Sequence, residues 1–305
     1  MDNPTEGVLT GFDGYVAKRM QSIERHLDGG APDYLFSGDR RVRLKLDGMR
    51  PMRAAARAYA AHIVPREKRV AQMQYLRTGP SQYPKLNEMA LQCAHRLGIG
   101  APTLYIMPAP QRLDSDSFAC DDVSPLIVLT SAIVERMTDD ELFYIIGHEC
   151  GHIQNNHGVY MKAGEALAAG TGLVGAGLDI ALKAWVRAAE ITADRAGVIC
   201  CGGEKPALSA LAKRTSGALL NNGGEMSAAA LMEQLASVRE TPVRLLEIAQ
   251  SSPLQIRRMY AVQEFARSEL FLSWNPAART GDFEPIDRGT LEARCGKFVS
   301  ILNED

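Results

Sequence analysis

The sequence predicts an α+β fold, mostly helical, with a small β-sheet just ahead of its central pair of helices. Three observations carry this. Short β-rich runs are confined to residues 103–130, helical periodicity lies on both sides of them, and a helix-start signal at Thr138 precedes a long apolar segment. At 305 residues the chain is long enough to bury a sizeable core. Its net charge of −2, with no long basic run, argues against nucleic acid or an acidic membrane surface as the main partner.

Taken in order, residues 1–84 read as an N-terminal accessory arm. Pro32, Gly38 and Asp39 punctuate it, Val42–Leu46 alternates like a strand with one solvated face (Arg41, Arg43 and Lys45), and Pro51–Val64 is an Ala/Arg-rich helix. The TGP at 78–80 and Pro84 mark a boundary, after which a catalytic unit is expected over 85–275 and a tail over 276–305. Leu86, Met89, Ala90, Cys93 and Leu97 recur at helical spacing and stop at Gly98 and Gly100. Thr103–Met107, Ser117–Cys120 and Leu126–Thr130 are the expected strands, and 131–137 is a short helix. Thr138 with Glu141 forms a capping box, so a helix runs from about Asp139 to Asn156. Residues 166–178 are uncharged, but a run of 13 between Glu165 and Asp179 is short of the roughly 20 needed to span a bilayer. They read as a buried or mobile connection to a helix over Lys183–Cys200. The rest, to about Leu272, is mostly helical, interrupted by Gly202-Gly203, the NNGG at 221–224 and Pro253.

The second helix of the central region carries His148, Glu149 and His152. Residues four apart share one helix face, so the two imidazoles can meet a single zinc ion at about 2.0–2.1 Å. Glu149 is turned about 100° from His148, beside the metal and not on it, which suits a general base. By chance alone, roughly one chain in a hundred of this length would contain the HExxH pattern. Its place in a capped helix behind the apolar run LFYIIG raises it well above that level.

A catalytic zinc needs a third protein ligand and an open position. His157, nine residues beyond His148, falls on the opposite face of a straight helix and reads as a solvated or outer histidine at the helix end. Glu190 is the better candidate. With Asp194 it puts two carboxylates on one helix face among Ala189, Ala193, Ala196 and Gly197, small enough to let that helix approach the histidines. Glu190 would ligate, and Asp194 would accept the other ring N–H of a ligating histidine. The competing reading is a surface pair with Arg187 or Arg195.

These segments resemble the zinc metallopeptidase family that includes HtpX and the CAAX prenyl endopeptidases, over about Leu97 to Ala266. SFA at 117–119, PLIVLTSAIVERMTDDEL at 125–142, GHECGH at 147–152 and EITADRAG at 190–197 follow the family's order. The resemblance implies a gluzincin-type core with one Zn2+ per chain, Glu190 as third ligand and Asp194 as the carboxylate behind it. It also places a variable insertion at 158–184. Two departures stand out. The family's His-Pro followed by an arginine here reads Ser251-Ser252-Pro253 and then Arg257-Arg258, so the histidine's role cannot pass to Ser252, and Arg258 is the better match to the arginine. The transmembrane helices of better-known members are missing, which points to a soluble cytoplasmic branch.

The expected function is endopeptidase hydrolysis of a peptide or protein substrate. Zinc would activate a water, Glu149 would take and return its proton, and Arg258 would help stabilise the oxyanion. The strand segment Ile127, Val128 and Leu129 is the expected edge for an extended substrate. Against this stand a latent or catalytically silent zinc-binding interaction protein, and an aminopeptidase or other zinc hydrolase. No export signal opens the chain and the six cysteines show no paired spacing, so a reduced, cytoplasmic protein without stable membrane insertion is expected. Cys150, inside the motif, reads as a buried helix residue.

Overall fold

A computed structural model describes residues 26–28, 30–120, 123–170, 172–216, 230, 233, 255–279 and 283–299. The NNGG at 221–224 and the Ser251-Ser252-Pro253 stretch lie outside the described residues.

The first helices are α1 (Ser37–Gly48) and α2 (Arg50–Gln74), preceded by a two-residue hairpin, β1 (Leu27–Asp28) with β2 (Ala31–Pro32). The expected strand at Val42–Leu46 is therefore corrected: it lies inside α1. Five alternating residues fit either period, and Arg, Lys and Leu favour helix. Val42 and Leu46, four apart, share the inward stripe, whereas Leu44 is left exposed. Pro51 sits at the favoured start of α2.

A four-stranded sheet follows, built from β3 (Leu76–Arg77), β4 (Thr103–Met107), β5 (Ser115–Cys120) and β6 (Val123–Thr130), in the order β3-β4-β6-β5. Strand β6 runs parallel to β4 and antiparallel to β5. Its alternating residues go to two cores. Ile127 and Leu129 face the main core, while Leu126 and Val128 pack on Tyr105 and Ala71 beneath α2.

The remaining helices are α3 (Pro84–Leu97), α4 (Ser131–Arg136), α5 (Asp139–Gln154), α6 (His157–Gly170), α7 (Gly172–Cys201), α8 (Glu204–Ser216), α9 (Gln255–Ala266), α10 (Glu269–Trp274) and α11 (Arg288–Val299). Most of them pack on one another around α5 and α7. Helix α5 starts at the Thr138–Glu141 capping box, both arms of which are formed. The connection expected at 166–178 is instead divided between α6 and α7, and α7 begins eleven residues before Lys183. No helix among the described residues is long and apolar enough to cross a membrane.

The central contact is α5 on α7. Two glycines of α5 set its closeness. A Cβ on Gly147 would lie 2.5 Å from the Cβ of Cys200, and one on Gly151 would lie 2.7 Å from the Cβ of Ala196 and 3.1 Å from the Cα of Ala193. Neither distance is tolerable, so glycine one residue before each motif histidine lets the α7 backbone come within reach of the imidazoles. Cys150, also on α5, is fully buried, and burial pushes its thiol well above the usual range.

Candidate metal centre

Helix α5 presents His148 and His152 on one face, as the i, i+4 spacing requires. Their Nε2 atoms are 3.1 Å apart. Helix α7 brings Glu190 to the same point, with Oε1 3.5 Å from His152 Nε2 and Oε2 3.8 Å from His148 Nε2. One atom from each of the three lies within 4.8 Å of the other two. Ligands about 2.0–2.1 Å from a tetrahedral ion stand roughly 3.3 Å apart, so these separations fit a single zinc without moving a helix. Two nitrogens and a carboxylate oxygen are also a donor set that zinc accepts. His148 is buried, while Glu190 and His152 keep some solvent exposure, which leaves one side of the cluster open.

Glu149 is buried beside this cluster, and its Oε1 accepts a hydrogen bond from the Ser115 hydroxyl of β5 at 2.6 Å. Ser115 was not singled out in the sequence. Its signal is weak, a serine two residues ahead of the SFA segment. Asp116, next along β5, is solvent-exposed, yet its carboxyl is pushed up to about 6 by desolvation and by the Glu149 charge.

Behind the cluster, Asp194 collects three donors. It accepts from Tyr144 Oη at 2.7 Å, from His148 Nδ1 at 2.9 Å, and from Arg258 through Nε at 2.8 Å and Nη2 at 2.6 Å. Burial would raise the Asp194 carboxyl, but the Arg258 guanidinium and the His148 ring bring it down to about 2. Burial also lowers His148, against the pull of Asp194. Both directions agree with one state, a neutral His148 donating Nδ1–H to an ionised Asp194 and turning a bare Nε2 toward Glu190. Asp194 is thus a buried group in contact with His148 and Arg258, which excludes the surface-pair reading of this helix face.

Arg258, on α9, also reaches Glu190 Oε2 through Nη1 at 2.9 Å. Burial opposes ionisation of Glu190, but the guanidinium and the two histidines hold its carboxyl well below the usual range. His152 moves the other way. Burial would lower it, and Glu190 and Glu149 overcome that and raise it. The point between His152 and Glu190 therefore favours a positive charge.

One sequence-based expectation needs correction here, and another is narrowed. Ile127, Val128 and Leu129 lie on β6, whose two edges are taken by β4 and β5, so no strand can add there. The sheet's edge on this side is β5. Parallel pairing to β4 across a long sequence gap carries no local signature, which is why the apolar run alone could not reveal it.

Of the two readings of His157, a solvated or an outer histidine, the second holds. The residue is 1% exposed, and its Nδ1 lies 2.9 Å from His152 Nδ1. The straight-helix projection fails because α5 ends at Gln154, and Asn156 takes a left-handed conformation (φ 53°) that turns the chain before α6. His157 then swings back onto the metal side. Asn tolerates this conformation better than most residues, and Asn155-Asn156 was the available signal.

The profile of peptidase family M48 matches residues 80–266, which take in β4 to β6 and every helix from α3 to α9. The plastoglobule-localized metallopeptidase 48 of Arabidopsis thaliana chloroplasts is 28% identical over 203 residues, 62% of this chain and 58% of that protein. An HtpX protease homologue of Helicobacter pylori (strain J99) is 44% identical over 55 residues, 18% of this chain and 17% of its own. Another from Methanopyrus kandleri is 27% identical over 101 residues, 31% and 32% of the two chains. This chain thus spans 58% or less of the length of these curated relatives. No solved structure gives a significant match. Because the matched region contains both helices that converge on the histidine pair and the arginine helix behind them, the chain belongs to peptidase family M48.

Proposed function

We propose that this chain is a zinc-dependent endopeptidase acting on peptide or protein substrates, with His148, His152 and Glu190 holding the metal. The convergence of two Nε2 atoms and one carboxylate, at spacings suited to a tetrahedral ion, is the observation that carries it. Zinc held there supplies Lewis acidity toward a water molecule and toward a substrate carbonyl.

The chain's own residues do the rest. Glu149 is placed to take the proton of the attacking water and to return it to the leaving amine, a transfer typically worth 10²–10⁴-fold. The Ser115 hydroxyl fixes one oxygen of Glu149, which leaves the other for the proton. Asp194 holds His148 in the tautomer that turns a lone pair toward the metal. Arg258 spends its guanidinium on Asp194 and Glu190. We assign it to positioning those two carboxylates and not to the oxyanion. The edge strand β5, in contact with Glu149 through Ser115, replaces β6 as the strand on which an extended substrate would add. On the sheet beside it, a cavity of about 220 Å³ lined by Glu67 of α2 and by Tyr75, Met107, Asp116 and Phe118 offers room for side chains that point to the α2 face of the sheet.

Glu149→Gln tests this reading. The variant should bind zinc as the wild type does and lose hydrolysis of casein or a peptide library. Comparable hydrolysis by the variant would remove Glu149 from the mechanism. Zinc binding without hydrolysis by the wild type would favour the interaction-protein reading.

A further inference from the structure

The buried carboxylate of Asp39 stands out among titratable groups that the reaction does not use. It lies in the first turn of α1, 41 residues before the region matched to the family begins, and is 1% exposed. Its Oδ1 accepts from Trp185 Nε1 at 2.7 Å, and its Oδ2 accepts from Thr192 Oγ1 at 2.6 Å. The same Oδ2 is 3.0 Å from His157 Nε2. His157 in turn meets His152 Nδ1 to Nδ1 at 2.9 Å.

Only one arrangement of protons satisfies this chain when His152 ligates through Nε2. A ligating nitrogen carries no proton, so the His152 proton is on Nδ1 and is donated to His157 Nδ1. His157 then carries its own proton on Nε2 and donates it to Asp39. We propose that Asp39 and His157 form a positioning relay for the metal centre, in which Asp39 sets the tautomer of His157 and His157 sets the tautomer and ring plane of His152. The inference rests on the zinc reading above. It gives His152 the support that Asp194 gives His148, with a histidine interposed.

The rest of the neighbourhood is built to keep the relay in place. Trp185 and Thr192 are on α7, five residues before and two residues after Glu190, so a single helix supplies a metal ligand and two anchors of the relay. Arg43, one turn after Asp39 on α1, donates to the Asn155 carbonyl at the break between α5 and α6, and its guanidinium lies 3.9 Å over the Tyr160 ring. That break is what turns His157 inward. Burying a carboxylate costs several kcal/mol unless a positive charge compensates it. The three donors on Asp39 are neutral when His157 carries one proton, so the compensating charge comes from Arg43, whose field reaches His157, and from the metal at the far end of the relay. Helix α1 therefore belongs to the metal centre, although it precedes the family-matched region.

The test is zinc competition against a chromophoric chelator, using the full chain and three variants, with thermal melting of the metal-free proteins alongside. Asp39→Asn and His157→Leu should bind zinc about 10–100-fold more weakly, the usual effect of losing such a partner. His157→Gln should stay within about threefold of wild type, because its amide can accept from His152 Nδ1–H and donate to Asp39. A merely structural role would lower the melting of the metal-free variants and leave zinc affinity unchanged. Folded Asp39→Asn and His157→Leu proteins that bind zinc as tightly as the wild type overturn the relay. A wild type that binds no zinc overturns the metal reading together with it. Should both variants fail to fold, ¹⁵N-histidine spectra of the zinc-loaded wild type decide, with the His157→Gln spectrum assigning the resonance. His157 as the neutral Nε2–H tautomer supports the relay, and the Nδ1–H tautomer contradicts it.

Discussion

The Nδ1 of His148 lies 2.9 Å from Oδ1 of Asp194, and that contact joins the two helices through the side of the ring that faces away from Glu190. It couples zinc affinity to the folding of α7. Asp194→Asn should weaken zinc binding by about 10–100-fold, because the amide can present its NH2 to His148 and no longer dictates the tautomer. It should also destabilise the protein by about 3–5 kcal/mol, since Arg258 would lose a buried partner. Chelator competition and urea denaturation of the metal-free protein read the two effects separately.

The close approach of α5 and α7 gives a second prediction. Gly151→Ala places a methyl group where the Cβ of Ala196 and the backbone of Ala193 already stand. The helices must separate by a few tenths of an ångström or more, at a cost of about 1–3 kcal/mol. Zinc affinity should fall as well, because Glu190 moves with α7 while the histidines stay on α5. A melting temperature and zinc affinity both equal to wild type would show that the glycine is not needed for the approach.

A third concerns the C-terminal helix. Arg195 on α7 is buried, and it pairs with Glu292 of α11 at 2.7 Å while also donating to the Tyr34 carbonyl. Burial would raise the Glu292 carboxyl, but Arg195 and the Ser37 amide bring it below its ordinary value of 4.5. A depressed carboxylate contributes stability above its unfolded pKa and loses it as pH falls through the folded value. Glu292→Gln should therefore be less stable than wild type by about 1–3 kcal/mol between pH 5 and 7. The gap should narrow as pH falls below about 4.5, as followed by thermal melts across that range.

Much of the candidate site could be read from the sequence because its proposed ligands lie on two helices at fixed spacing. His148, Glu149 and His152 follow from 3.6 residues per turn, and Glu190 with Asp194 repeats the same geometry on a second helix. The small residues at 189, 193, 196 and 197 showed that the two helices could approach, and Gly147 and Gly151 complete that surface. What stayed hidden depends on long-range pairing or on a break in a helix. The placing of β6 between β4 and β5 cannot be read from an apolar run, and the inward turn of His157 depends on one left-handed residue, Asn156. Asp39 carries no local signal beyond its place in a polar turn, because the partners that identify it lie 118 to 153 residues away. One practical consequence follows. A variant lacking the first 80 residues would be without Asp39 and Arg43, so its zinc affinity should fall together with any activity.

The most direct test of the central claim is the zinc content of the purified wild type measured beside Glu190→Ala. Glu190 is 38 residues beyond His152 and is the proposed ligand that the HExxH helix does not supply, so it tests the fold and the site together. The wild type should carry one zinc per chain, and Glu190→Ala should lose most of it under the same dialysis while keeping its helical circular dichroism. Full zinc occupancy in folded Glu190→Ala, or a wild type that takes up no zinc, would contradict the account.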